Sequence, residues 1–334
     1  MTAGSSQQPD TDSQLPWLQP HQRALRSWRD QDRLPHALLV HGPAGWGKKR
    51  LVRHWIAELL EQRGDTDEQN YAHPDLRWVG VDTESVARQI KIDQIRELAD
   101  FVMGTSLGVR KIVVLEDADR MNGNAANALL KTLEEPAGNA HILLISERPW
   151  ALSATIRSRC SALSVQSDHA GAARWLALVP EAERPGADTL WLAGRAPLTA
   201  RALHMSSEDQ PVLAALQAIL RLRDQPRLLA KVVTQAVACP LPLLLDGWLR
   251  ALHATRIQAS ETTRATHGST IEARHLPASE HAPAPVWVQA VTCAAKQLED
   301  LSNELMWSKR VLLGTSNPNP ALLMESLLLR WCAN

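Results

Sequence analysis

The chain has 334 residues, 36 basic and 36 acidic side chains, and an apolar fraction of 45%. That length supports two or three domains with hydrophobic cores, and the balanced charge excludes a whole-protein field drawing it to DNA or anionic membranes. No run approaches the roughly 18 apolar residues of a membrane span, and residues 1–10 lack the order of a secretory signal, so a cytoplasmic location is expected. Cys160, Cys239, Cys293 and Cys332 are too far apart for a zinc or redox pair, which predicts reduced thiols and no metal site built from side chains.

Residues 1–165 read as an α/β domain with a mostly parallel sheet, because apolar strands alternate with amphipathic helices from residue 36 onward. Ala37-Leu38-Leu39-Val40-His41 predicts a first buried strand. A helix over 48–62 follows, with Leu51, Val52, Trp55, Ile56, Leu59 and Leu60 on one face. Residues 76–81 predict a second strand, and Ile92, Ile95, Ala99 and Val102 fall at helical spacing. The continuous run at 111–116 predicts a central strand, followed by a helix over 123–134 and a strand over 141–146. Glu134 and Glu135 close that helix before Pro136, which cannot continue it, although two acids against the helix dipole leave an interface role open.

From about residue 166 the strand signals stop. Three short helices over 168–205 predict a small helical lid domain spanning 166–206. Residues 207–334 predict an all-α domain, with Val212, Leu213, Leu216, Ile219 and Leu220 on one stripe. Its last helix carries Leu322, Leu323, Leu327, Leu328 and Trp331. Inside it, 259–285 is rich in Ser, Thr, Ala, Pro and His without periodicity, and predicts a mobile loop.

Gly42-Pro43-Ala44-Gly45-Trp46-Gly47-Lys48 fits seven positions of a phosphate loop between a predicted strand and a predicted helix. In such a loop the backbone N–H groups of the turn and helix N-terminus cradle a β-phosphate, and the lysine adds charge. The next position calls for a hydroxyl that ligates Mg²⁺, but Lys49 stands there, and an ammonium repels a cation. The acids after the central strand run Glu116-Asp117, the reverse of the Asp-Glu order usual in ATPases of this class, followed by Ala118-Asp119. Both departures point away from hydrolysis by this chain. The loop is then kept for its tight strand-to-helix turn, with Gly42, Gly45, Gly47, Lys48, Lys49, Glu116 and Asp117 forming at most a vestigial nucleotide site. Trp46 either fills the nucleotide pocket or packs on a neighbouring helix.

Downstream, Asn127-Ala128-Leu129-Leu130-Lys131-Thr132-Leu133-Glu134-Glu135-Pro136 precedes Thr155-Ile156-Arg157-Ser158-Arg159-Cys160 by about 20 residues. With residues 114–122 these motifs resemble, in order and spacing, clamp-loader subunits of the AAA+ family. The resemblance covers about 17–205, and the C-terminal helices match in kind. It implies a P-loop AAA+ domain, a small helical lid and a helical collar that joins a hetero-pentamer with motor (gamma/tau-like) and delta-like subunits. It further implies work on a sliding clamp and primed DNA within a DNA-directed DNA polymerase (nucleotidyltransferase) holoenzyme, with ATP and magnesium bound by the partners. By the same resemblance Arg159 is an arginine finger acting in trans, the plainer alternative being a surface salt bridge or a helix C-terminal cation, and the chain is a non-motor subunit without catalysis of its own. The alternative is an ATP-hydrolysing motor subunit that tolerates Lys49. A nucleotide kinase fits less well, lacking the hydroxyl after Lys48. Ser146 stands where motor subunits carry a polar sensor, though it could equally cap a helix. Gly194-Arg195-Ala196-Pro197-Leu198-Thr199-Ala200 resembles the sensor segment of the lid, with Thr199 in the arginine's place and Arg195 and Arg201 nearby. Family members often insert a four-cysteine zinc module after the phosphate-loop helix; residues 61–75 hold no cysteine, so no zinc is expected.

Overall fold

The computed structural model describes residues 15–60, 73–81, 88–108, 110–135, 138–266, 284–289, 295–313 and 318–333. Among them a five-stranded parallel sheet forms from β1 (Ala37–His41), β2 (Leu76–Val79), β3 (Lys111–Leu115), β4 (Ala140–Ser146) and β5 (Ser161–Ser164), in the order β2-β3-β4-β1-β5. The run at 111–115 is an interior strand, but the middle strand is β4.

Side-chain alternation explains the double covering. Leu39, Val113, Leu115, Ile142 and Leu144 share one buried cluster with residues of α3 (Ile92–Met103), α4 (Gly123–Glu134) and α5 (Ala154–Arg159). Their strand neighbours face the other way, where α2 (Lys48–Leu59) packs on β1 and β4 and is itself backed by α1 (Gln19–Asp30). Each such Leu, Ile or Val contributes about 1.5–3 kcal/mol by leaving water. Asn122 caps α4 by accepting a hydrogen bond from the Ala125 amide (2.8 Å), and Ser153 caps α5 through the Ile156 amide (3.3 Å).

The α/β unit runs past its expected boundary. Contacts divide the chain into Met1–Leu178 and Val179–Asn334 rather than into three parts. The reason lies in α6 (His169–Leu178), first of the three expected lid helices, whose Trp175 packs edge-to-face on Trp17 with ring centroids 5.7 Å apart. The other two, α7 (Ala187–Leu192) and α8 (Pro197–Met205), pack on α9 (Asp209–Arg221), and Leu192 joins the core of the second unit.

That unit also contains α10 (Leu229–Val237), α11 (Leu241–Thr266), α12 (Val286–Gln289), α13 (Ala295–Leu313) and α14 (Pro320–Ala333). Val212, Leu213, Leu216, Ile219 and Leu220 are all buried, as their spacing predicts. Trp331 is core: its indole donates to the Ile219 carbonyl (2.7 Å) and stands edge-to-face with Trp248. Leu322 of the same helix is exposed. Of the loop expected over 259–285, residues 259–266 are instead helical, because α11 continues to Thr266. Ala, Glu and Arg favour helix there strongly enough to carry the Ser and Thr residues, while 267–283 lie outside the described residues. So do 61–72, most of the segment expected to lack a zinc module, and Pro136. Among the described residues no helix is long and apolar enough to cross a membrane.

Candidate functional site

The phosphate loop joins β1 to α2 at the carboxyl edge of the sheet. Gly42 sits at φ 144°, and a Cβ there would lie 2.0 Å from the Val165 carbonyl oxygen, so the fold itself demands glycine. Gly47 caps α2 in the left-handed region at φ 86°, and Gly45 also has positive φ (71°). Trp46, between them, is buried rather than turned into a ligand space. Its ring stands edge-to-face with Trp17 and with His169 of α6, and its carbonyl accepts from the Trp17 indole (2.9 Å).

Lys48, Lys49, Glu116 and Asp119 already have partners at this edge. Lys48 is buried and its Nζ donates to the carbonyl of Pro43 inside the loop (2.7 Å). Burial pushes its ammonium below the ordinary lysine range, with Glu147 opposing that trend and Lys49 adding to it. Burial and the Lys48 charge likewise lower His41. Lys49 is ion-paired with Oε1 of Glu116, whose Oε2 accepts from the Trp78 indole (2.8 Å). The residue replacing the metal-binding hydroxyl is thus bonded to the first acid after β3. Asp117 follows with a left-handed backbone (φ 53°). Ser146, at the end of β4, donates to Asp119 (2.9 Å) and accepts from the Arg148 amide (3.1 Å). The Arg148 guanidinium completes the cluster on Asp119 at 2.9 Å.

Arg159 is elsewhere. It ends α5, two residues before β5 begins, and Ser161 of β5 lies opposite Leu38 near the start of β1. The strands are parallel, so Arg159 stands at the amino edge of the sheet. Leu38 and Gly42 alone are separated by about 13 Å at 3.3 Å per residue. Arg159 reaches Glu134 at the end of α4 (2.6 Å) and the Thr155 carbonyl (3.2 Å). Arg157, in the same helix, is committed to the carbonyls of Pro149 (3.1 Å) and Leu152 (2.9 Å). The Cys160 thiol is pushed up to about 11 by burial and is no nucleophile near neutrality.

The sequence of this same α/β unit matches a family model described as DNA polymerase III, delta subunit, over residues 19–169. DNA polymerase III subunit delta' of Pseudomonas aeruginosa is 34% identical over 314 residues, 89% of this chain and 92% of that one. The chain belongs to the DNA polymerase III delta-prime family. It is also 31% identical over 144 residues to DNA polymerase III subunit tau/gamma of Haemophilus influenzae, which covers 41% of this chain and 21% of that one. A solved DNA polymerase III gamma subunit-related protein from Thermotoga maritima superposes with TM-score 0.50 at 18% identity, covering 95% and 99% of the two chains, and is similar in fold alone.

Within this delta-prime framework the structure brings Lys48, Lys49, Glu116, Asp117 and Ser146 to one edge and places Arg159 at the other. In the second unit Arg201 is ion-paired with Glu183, and Arg195 takes a left-handed backbone (φ 64°) with its guanidinium lowered by burial. Sequence reasoning missed Trp78 as a partner of Glu116 and Arg159 as the partner of Glu134. The available signal was charge: an extra lysine beside the loop called for an acid, and an acid at a helix C-terminus called for a cation.

Proposed function

We propose that this delta-prime-family chain is a non-motor clamp-loader subunit that lends Arg159 in trans to the ATP site of a neighbouring motor subunit. The observation that carries this reading is the placement of Arg159 at the amino edge of the sheet, across from the chain's own phosphate loop. An arginine there cannot serve its own loop, yet its side chain is about one-third exposed. Set beside a partner's γ-phosphate, it would offset the charge that builds on the equatorial oxygens in the transition state, an effect worth about 10³–10⁵ in rate where such fingers have been removed. Its planar fork suits phosphate geometry better than an ammonium would.

The donor set at the chain's own loop argues against a magnesium nucleotide there. A hydroxyl is replaced by an ammonium, that ammonium is paired with Glu116, and Asp119 is shared between Ser146 and Arg148. On this reading ATP and magnesium belong to gamma/tau-like motor subunits, which assemble with this chain and a delta-like subunit in a hetero-pentamer acting on the sliding clamp and primed DNA. No zinc takes part. The chain works in the cytoplasm and catalyses nothing alone.

The test is DNA- and clamp-stimulated ATP hydrolysis by motor subunits reconstituted with this protein, wild type against Arg159→Ala, with the isolated protein as control. A loss of about 10³-fold in the assembly, with no turnover by the isolated chain, is the expected outcome. Unchanged hydrolysis in the Arg159→Ala assembly would end the finger reading. Robust magnesium-dependent turnover by the isolated protein would make it a motor subunit.

A further inference from the structure

Glu134 is the last residue of α4 and Glu135 its C-cap, so two acids face the negative end of a helix dipole with Lys131 as the only base in the last turn. Each such placement is mildly unfavourable at an exposed site unless a cation answers it. For Glu134 the cation comes from α5: Arg159 Nη2 lies 2.6 Å from its Oε1. The other terminal nitrogen, Nη1, donates to Thr155 one turn back (3.2 Å). The guanidinium is therefore fixed from two sides while the Arg159 side chain stays about one-third exposed and that of Glu134 about half exposed.

We infer that Glu134 is a positioning residue for the arginine finger: it orients the Arg159 guanidinium for a phosphate on the adjoining subunit. This inference rests on the trans-acting reading of Arg159. Magnitudes decide between orienting and withholding. A half-exposed ion pair is weak, whereas a terminal phosphate brings about two negative charges and several acceptor oxygens, and forms the stronger charge-assisted bonds. The carboxylate is too weak to keep Arg159 from such a ligand. It is strong enough to restrict the many rotamers of a long side chain beforehand, and a pre-set donor loses less freedom when the charge develops.

Arg157 provides the internal contrast. Two positions earlier in the helix, its guanidinium is tied to the backbone carbonyls of Pro149 and Leu152 and so braces the turn before α5. Only Arg159 is held by a side chain on a different helix, so its direction can be changed by one substitution without disturbing that turn.

The experiment measures kcat and KM for ATP in the reconstituted assembly carrying Glu134→Ala, Glu134→Gln, Arg159→Ala or the Glu134→Ala/Arg159→Ala pair. Thermal unfolding and gel filtration verify that each variant folds and assembles. Glu134→Ala should lower kcat about fivefold, a barrier increment of about 1 kcal/mol, with KM unchanged. Glu134→Gln keeps an acceptor oxygen and should recover at least half of the loss. The double variant should be no slower than Arg159→Ala alone. Wild-type turnover in Glu134→Ala beside a crippled Arg159→Ala would overturn the role of Glu134 and leave the finger standing. An equal loss from Glu134→Ala in both backgrounds would show that it acts elsewhere. An Arg159→Ala assembly at full rate would remove the finger and this inference with it.

Discussion

The two edges of the parallel sheet use their charges in opposite ways. At the carboxyl edge Lys48 turns back on the loop, Lys49 pairs with Glu116, and Asp119 is consumed by Ser146 and Arg148. At the amino edge Arg159 has an exposed carboxylate and one carbonyl for partners. A motif promises chemistry through its residue types, but availability decides whether the promise holds. The edge with the recognisable nucleotide motif spends its cations on its own loop and acids, while Arg159 at the other edge is held by a half-exposed carboxylate of a neighbouring helix.

The largest effect that could break this comparison is the roughly 10³-fold loss expected for Arg159→Ala in the assembly. Next comes the contention that the loop serves the fold. Trp46→Ala would remove a buried ring from between Trp17 and His169, and should destabilise the α/β unit by about 3–5 kcal/mol, read by denaturant unfolding. A loss under about 1 kcal/mol would show that Trp46 is not structural. A smaller effect sharpens the chemistry of the loop. Lys49→Ser combined with Glu116→Asp restores a hydroxyl and a short acid, and should tighten magnesium-dependent binding of a fluorescent ATP analogue by about tenfold, about 1.4 kcal/mol. Equal affinity in the variant and wild type would mean that the Lys49–Glu116 pair is not what excludes the metal. The smallest effect concerns Cys160, beside the finger. With its titration raised to about 11 by burial, the neutral thiol persists through pH 7–9, and alkylation by iodoacetamide should accelerate only as the pH approaches that value. Rapid labelling at neutral pH would contradict the burial.

Much of the first unit is legible in the sequence because its interior strands are unbroken apolar runs. Leu38, Leu39 and Val40, or Ile142 to Ile145, admit little else than a strand covered on both faces. β5 is silent for the opposite reason: as an edge strand it buries only Leu163, so Ser161-Ala162-Leu163-Ser164 carries no run to detect. α6 was legible as a helix but not as part of the first unit, since its attachment depends on Trp17 and Trp175, distant in sequence. The glycine loop and Arg159 can be read from local motifs. The pairing of Lys49 with Glu116, 67 residues away, and of Arg159 with Glu134 cannot, because only the parallel order of the strands brings those positions together.

The contact between Gly42 and the Val165 carbonyl has a consequence for ancestry. Where backbone packing alone forbids a side chain, the glycine survives whether or not any nucleotide is bound. Selection can then relax on every ligand-facing atom around it while the signature stays in place, like the outline of a keyhole in a door that no longer has a lock.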